Sequence, residues 1–116
     1  MARVPPGRAA SRRAATIRAM RYVAIFDDDP PMAAVRARLE PAHLAFLEAH
    51  RDEVRMAGGL RDVPGGPYVG GLWVFEVASR ERAEQLIAAD PYQQAHPRRY
   101  RLLVWGKALP HHEVLM

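Results

Sequence analysis

Two histidines of this sequence have a type and a placement that suit proton transfer. His43 and His50 lie on a predicted helix that runs from Pro41 to about Glu53. At about 100° per residue, both rings fall on the apolar side of that helix, near Leu47. An imidazole in that position must be hydrogen-bonded or must border a cavity. It is either a neutral core histidine bonded to a backbone carbonyl, which we favour for His50, or a reactive imidazole, for which His43 is the stronger candidate.

An aspartate is the second candidate, because it stands where a helix does not favour an acid. Asp90 follows a predicted helix from Arg80 to Ala89 and lies on its apolar side, at the end where the helix dipole disfavours a carboxylate. One explanation is capping, since Asp90-Pro91-Tyr92-Gln93 has the acid, proline and glutamine that begin a new helical turn. Another is that the carboxylate orients an imidazole. The two roles are compatible, because a carboxylate has two oxygens.

The sequence predicts neither a metal nor a cofactor. His43 and His50 are about 10 Å apart along a helix and cannot share one ion. The adjacent His111-His112-Glu113 would bind a metal only weakly. Gly65-Gly66 and Gly70-Gly71 match neither the Walker nor the dinucleotide-binding spacing.

The elements that must position these residues alternate between β-rich and helical segments. Pro41 divides the first helical stretch in two, because proline suits the first turn of a helix and not its interior. The predicted elements are a strand over Arg21–Phe26, helices over Met32–Leu39 and Pro41–Glu53, strands over Val54–Leu60 and Leu72–Val77, a helix over Arg80–Ala89 capped by Ser79, and a strand over Tyr100–Lys107. This β-α-β-β-α-β order predicts an α+β fold, a ferredoxin-like antiparallel sheet with both helices on one face.

The second face of that sheet needs a cover. In the third strand Trp73 and Phe75 point to one face and Leu72 and Val74 to the other, so both faces are apolar. A sheet with one solvated face would alternate apolar and polar residues. We therefore expect a homodimer packed sheet to sheet, a dimeric α+β barrel. The alternative is that the third strand is simply central and the tail after Pro110 covers the rest.

Composition indicates one globular domain with an N-terminal extension. The chain has 116 residues, of which 49% are hydrophobic and 26% charged, and it has no cysteine, which excludes disulfide scaffolds, thiolate zinc sites and cysteine nucleophiles. Its net charge of +4 comes from residues 1–19, which hold five arginines and no acid. We expect a disordered basic arm over 1–19, with Met20 a candidate start, a folded domain over 20–109 and a tail over 110–116.

The location and partners follow from the same composition. No segment has the length of apolar sequence needed for a membrane span or a secretory signal, so we expect a cytoplasmic protein that does not bind membranes. The folded part is nearly neutral, which argues against a nucleic-acid partner. RNA-recognition modules share the element order, but Val69 and Gly71 stand where those modules have a basic residue and an aromatic one.

Several segments resemble the YCII-related (YciI-like) family of small dimeric α+β barrel proteins. They are Tyr22–Phe26, the Pro-Ala-His-Leu44 segment, Gly58-Gly59-Leu60, Val74-Phe75-Glu76 and Ala89-Asp90-Pro91-Tyr92, and together they span roughly 90 residues from Met20. The resemblance implies that His43 and Asp90 form a pair at a pocket with an acid/base role. It also implies kinship with a family of which one branch includes a dehydrochlorinase of chlorinated hydroxyquinols.

Acid/base chemistry of that kind would act on a small molecule. The carboxylate would hold the imidazole in one tautomer, and the free ring nitrogen would take a proton beside a leaving group. We expect metal-free lyase, isomerase or hydrolase-type chemistry on a small, aromatic or hydroxylated substrate, with Trp73 and Tyr92 as pocket wall. The alternative is a non-catalytic small-molecule binding or accessory dimer, since this fold hosts many unrelated functions.

Overall fold

The protein is built on one four-stranded antiparallel sheet. In a computed structural model, which describes residues 20–109 and residue 111, the strands lie in the order β2-β3-β1-β4. They are β1 (Met20–Asp27), β2 (Val54–Arg61), β3 (Tyr68–Val77) and β4 (Tyr100–Val104). This order and the helices between the strands confirm the predicted ferredoxin-like α+β fold. Compared with the prediction, β3 begins earlier, at Tyr68, and β4 ends earlier, at Val104.

Three helices connect the strands, and the first corrects the sequence prediction. The helices are α1 (Met32–Ala49), α2 (Arg80–Ala89) and α3 (Pro91–Ala95). The prediction of two helices separated at Pro41 was wrong, because Pro41 lies inside one continuous α1 that ends before Glu53. A proline removes one backbone hydrogen bond. The helix continues through that loss because Phe46 and Leu47, beyond the proline, pack against the core.

Local chemistry explains where other elements begin and bend. The Ser79 hydroxyl accepts a hydrogen bond from the Arg82 backbone N–H at 3.1 Å, so Ser79 caps α2 as predicted. Glycine is required at position 70, because a Cβ there would overlap the backbone carbonyl of Phe26 on the neighbouring strand.

The main core lies between the helices and one face of the sheet. On that face Ala24, Phe26, Trp73 and Phe75 are buried, and the ring centroids of Phe26 and Trp73 lie 5.3 Å apart. Leu86 of α2 completes this cluster from the helical side. A smaller cluster of Met32, Val35 and Tyr92 joins α1 to α3.

The other face of the sheet is apolar and carries no helix among the described residues. The strand register places Val23, Val74 and Leu103 in one row on this open face. Towards its edges the side chains are exposed, with relative exposures of 44% for Met56, 43% for Leu103 and 40% for Trp105. The open face therefore fits the predicted surface for a second copy of the chain.

Some predictions concern residues that the structure does not describe. The basic arm over 1–19 and all of the tail except His111 lie outside the described residues, and so does most of the His111-His112-Glu113 segment. Within the described ranges, no helix has the length and apolarity to cross a membrane.

Candidate active site

The structure brings the two predicted residues, His43 and Asp90, into direct contact. The distance between His43 Nδ1 and Asp90 Oδ1 is 2.7 Å. His43 comes from the second half of α1, and Asp90 stands at the junction of α2 and α3. The Asp90 side chain is 1% exposed and the His43 side chain 12% exposed. A charge-assisted contact of this length in a nearly buried setting is a strong hydrogen bond.

Asp90 combines both roles that the sequence suggested. Its backbone is extended, and it ends α2 while it starts α3 with Pro91 in the first turn. The same Oδ1 that faces His43 also accepts a hydrogen bond from the Tyr92 backbone N–H at 3.3 Å. The helix cap therefore fixes the carboxylate in the orientation that the imidazole needs.

The contact sets the roles of the two ring nitrogens of His43. An ionised carboxylate only accepts hydrogen bonds, so Nδ1 donates its proton to Asp90 and Nε2 keeps a lone pair. Three side-chain atoms of the described residues are buried without a hydrogen-bond partner, namely Arg21 Nε, Asp90 Oδ2 and Arg98 Nε. Nε2 of His43 is not one of them, and no described residue hydrogen-bonds to it. The His43 side chain is 12% exposed, and in its neutral form Nε2 is the ring nitrogen that can accept a proton.

Aromatic rings hold the imidazole in place. The Tyr92 ring stacks on His43 with centroids 3.9 Å apart and an interplanar angle of 7°. Trp73 lies further away, with a centroid distance of 6.2 Å. Burial raises the pKa of the Tyr92 hydroxyl above its ordinary value, so Tyr92 is a neutral phenol at physiological pH. Both aromatic side chains are buried, and their role as substrate-pocket wall stays a prediction.

His50 has the ordinary structural role that we favoured for it. Its Nδ1 lies 3.0 Å from the backbone carbonyl of Phe46, one turn earlier in the same helix. Its ring also contacts the Phe46 ring, with centroids 4.4 Å apart. The two histidines of α1 therefore bind different partners, and His43 alone contacts a carboxylate.

Sequence reasoning missed a group of charged residues behind Asp90. Arg98 NH2 lies 3.9 Å from Asp90 Oδ2, and Arg98 NH1 donates to Asp28 Oδ1 at 3.2 Å. Asp28 also accepts from Arg36 Nε at 2.8 Å. Asp28 lies in the acidic run Asp27-Asp28-Asp29 at the end of β1, and Arg98 follows a proline before β4. No local pattern connects the two, which lie 70 positions apart.

A cavity lies beside this group. It has a volume of about 670 Å³ and opens between α1 and the turn that joins β2 to β3. Its wall includes Asp28, Arg36, Glu40 and Tyr68, but not His43 or Asp90. Glu40 precedes His43 by one turn of α1, so this α1 cavity adjoins the His43–Asp90 contact. Within residues 20–109, no three His, Asp or Glu side chains cluster as a metal site would require.

Comparison with family models decides the classification. The model of the YCII-related domain matches residues 20–106, most of the chain. The chain belongs to the YCII-related family. The matched range, residues 20–106, lies within the range 20–109 that the sequence predicts as the folded domain.

A solved structure shares the fold of this chain. The 5-chloro-2-hydroxyhydroquinone dehydrochlorinase from Burkholderia phenoliruptrix AC1100, solved in complex with 2,5-dihydroxybenzoquinone, matches with a TM-score of 0.67 and 22% sequence identity. The match covers 75% of this chain and 94% of the dehydrochlorinase, and at this identity it shows a common fold.

A second match is weaker. The leucine response regulatory protein of Mycobacterium tuberculosis gives a TM-score of 0.45 at 20% identity, with 98% of this chain and 64% of that protein covered. This similarity is too low to support an argument. A search of curated proteins found no match.

Proposed function

We propose that this YCII-related protein is an acid/base enzyme for a small molecule, with His43 as the group that transfers the proton and Asp90 as the group that orients it. The observation that carries the proposal is the 2.7 Å contact between His43 Nδ1 and Asp90 Oδ1, which leaves Nε2 as the ring nitrogen outside that contact. A neutral imidazole held in one tautomer is suited to remove a proton at neutral pH.

The proposed step is an elimination or isomerisation that starts with proton removal. Nε2 takes a proton from a carbon or hydroxyl of the substrate, and the electron pair of the broken bond forms a new double bond. In an elimination the leaving group departs with its own electron pair, and the imidazolium then returns its proton to solvent. The Asp90 carboxylate stabilises the imidazolium while it exists.

The dehydrochlorinase of the same fold suggests the first compounds to try. That enzyme acts on 5-chloro-2-hydroxyhydroquinone, a chlorinated and hydroxylated ring. We therefore propose hydroxylated rings that carry a leaving group as the substrate class.

The test is a turnover assay with a matched histidine control. A panel of chlorinated hydroquinones is incubated with the full chain, and released chloride and the ultraviolet spectrum are followed. We expect His43→Ala to lose at least about 100-fold in rate, the usual contribution of a positioned general base. His50→Ala should stay near the wild-type rate, because His50 contacts the backbone carbonyl and ring of Phe46 and does not contact Asp90. Equal rates for His43→Ala and wild type would contradict the proposal.

A non-catalytic binding protein is the second candidate, and the α1 cavity favours it. The cavity wall includes neither His43 nor Asp90, so a ligand could bind there without proton transfer. In that case a ring compound should perturb the NMR signals of Arg36 and Tyr68 equally in the wild type and in His43→Ala, and it should be recovered unchanged.

We also propose that two copies pack through the open face of the sheet. Large apolar side chains are exposed there, and burial against a second copy would remove them from water. Sedimentation should give a dimer for the wild type and a monomer for Leu103→Glu. Val63→Glu is the control, because Val63 is exposed in the turn before β3 and away from that face. A monomeric wild type at micromolar concentration would refute the dimer.

A further inference from the structure

A line of alternating charges runs from the His43–Asp90 contact to the α1 cavity. Its members are His43, Asp90, Arg98, Asp28 and Arg36, and we call it the charge chain. The successive contacts are 2.7 Å from His43 to Asp90, 3.9 Å from Asp90 to Arg98, 3.2 Å from Arg98 to Asp28 and 2.8 Å from Asp28 to Arg36. Each charge has a neighbour of opposite sign.

The centre of the charge chain is a buried guanidinium. The Arg98 side chain is 2% exposed, and its Nε has no hydrogen-bond partner. Burial lowers the pKa of Arg98, an effect that the hydrogen bond to Asp28 opposes. An arginine does not lose its proton in a protein, so it remains a fixed positive charge. A buried charge of this kind is costly, and only its two carboxylate neighbours offset the cost.

Arg98 is fixed by contacts other than its ion pairs. Its backbone N–H donates to Gln93 Oε1 at 3.1 Å, and its carbonyl accepts from Gln93 Nε2 at 2.9 Å. Its guanidinium lies over the Phe26 ring at 4.4 Å. A substitution that shortens or neutralises the side chain therefore leaves the backbone anchored.

The electrostatic need for Arg98 comes from the far oxygen of Asp90. Oδ1 binds His43 and the Tyr92 N–H, whereas Oδ2 is buried without a hydrogen bond. Burial of this kind favours the protonated, neutral form of a carboxylic acid. Among the described residues, Arg98 is the cation that faces Oδ2, and a cation at that distance favours the ionised form.

We propose that Arg98 is a positioning residue of the site: its buried guanidinium faces the far oxygen of Asp90 and holds that carboxylate as the acceptor for His43, while Asp28 accepts a hydrogen bond from Arg98. This inference rests on the proposed function of His43, and it adds a residue that does not touch the substrate. The positive charge of Arg98 opposes a second positive charge on the His43 ring.

The test is the pH profile of the His43 ring signals, measured by NMR on the ¹⁵N-labelled full chain. Removal of a nearby positive charge favours the imidazolium, so Arg98→Gln should move the His43 profile to higher pH by about one unit. Arg98→Lys keeps the charge and should move it by less. Arg51→Gln is the matched control, because Arg51 is exposed and binds Glu48 at the end of α1, and it should cause no shift.

A variant of opposite sign separates electrostatics from structural damage. Asp28→Asn removes a negative charge next to Arg98, so it should move the His43 profile to lower pH. The other charged or titratable groups that face this region are Arg36, Glu40 and the Tyr92 phenol. None of them is substituted in these variants, and Asp28→Asn weakens the ion pair of Arg36 but leaves its charge in place. Shifts of opposite sign for Arg98→Gln and Asp28→Asn support the inference even if both variants lose stability.

The possible failures can be told apart. An unchanged profile in a folded Arg98→Gln would overturn the role of Arg98 and leave the His43–Asp90 pair standing. If Arg98→Gln does not fold, an unchanged profile in Asp28→Asn would overturn it as well. If the wild type lacks a proton on Nδ1 that is protected from exchange, the contact itself fails, and the proposed function fails with it.

Discussion

The hydrogen bond from His43 to Asp90 can be separated from the helix cap at the same carboxylate by three substitutions. Asp90→Asn keeps an oxygen for both the cap and the ring, and loses only the charge. Asp90→Ser keeps a capping oxygen but is too short to reach the ring. Asp90→Ala removes both contacts. If Asp90 only caps the helix, the three variants should rank differently in their free energy of unfolding than if Asp90 both caps the helix and binds His43.

The expected magnitudes follow from the contacts of Asp90. Loss of the cap to the Tyr92 N–H costs about 1 kcal/mol. Loss of the charge-assisted bond to His43 costs about 1.5–3 kcal/mol, and relief from burying a carboxylate offsets part of it. We therefore expect the free energy of unfolding to fall by about 3 kcal/mol for Asp90→Ala, about 2 for Asp90→Ser and about 1 for Asp90→Asn.

The assay is urea denaturation at pH 7, with the slope of the transition checked for constancy across the variants. A double-mutant cycle of Asp90→Ala with His43→Ala should give a coupling energy of about 1 kcal/mol or more. Additivity within about 0.3 kcal/mol would refute the reasoning, since it would mean that the two side chains do not stabilise each other. Equal stabilities for Asp90→Ser and Asp90→Asn would also contradict a stabilising contact between Asp90 and His43.

Three further predictions concern pH and packing. Hydrogen bonding to Arg82 lowers the pKa of Glu53 below 4.5. The pair therefore stabilises the fold above pH 4.5, and this stabilisation is lost as the pH falls through the pKa of Glu53 in the folded protein. In Arg82→Met the free energy of unfolding, measured by denaturation, should decrease less steeply on the acid side. Burial raises the pKa of Tyr92 above 10, so stability should fall as pH rises beyond 10, and less steeply in Tyr92→Phe, in denaturation at pH 9–11. Gly70→Ala places a methyl group against the Phe26 carbonyl and should cost about 1–3 kcal/mol in thermal unfolding; an unchanged melting temperature would contradict the strand geometry.

The sequence was sufficient to predict those elements that depend on residues close to each other in the chain. Ser79 and Asp90 were identified as caps from their own neighbours, and both accept the expected backbone N–H. The apolar pattern on both sides of β3 predicted the open face, because the register of a strand fixes which side chains share a face. Pro41 led to a wrong helix boundary for a physical reason. It removes one backbone hydrogen bond of the helix, but the packing of the residues beyond it against the core outweighs that loss.

The ion pairs could not be predicted, because their members lie far apart in the sequence. Glu53 was predicted as the last residue of a helix, yet it follows the end of α1 and binds Arg82 of α2 through both carboxylate oxygens at 2.8 and 2.9 Å. Arg98 and Asp28 likewise meet only in the folded chain. A charge run gives no information about its partner until the topology is known, so the sequence located His43 and Asp90 but not the residues behind them.

The packing of α1 gives the charge chain a second consequence. Met32 and Val35 are the buried residues of this helix, and Phe46 and Leu47 pack against the core from its second half. Arg36 and His43 lie two turns apart in α1, and each binds a buried carboxylate from another element. The same contacts that set the charge of the site therefore also hold α1 against the fold. Because His43 stands on that helix, a loosened charge chain would displace the His43 ring as well as change its environment.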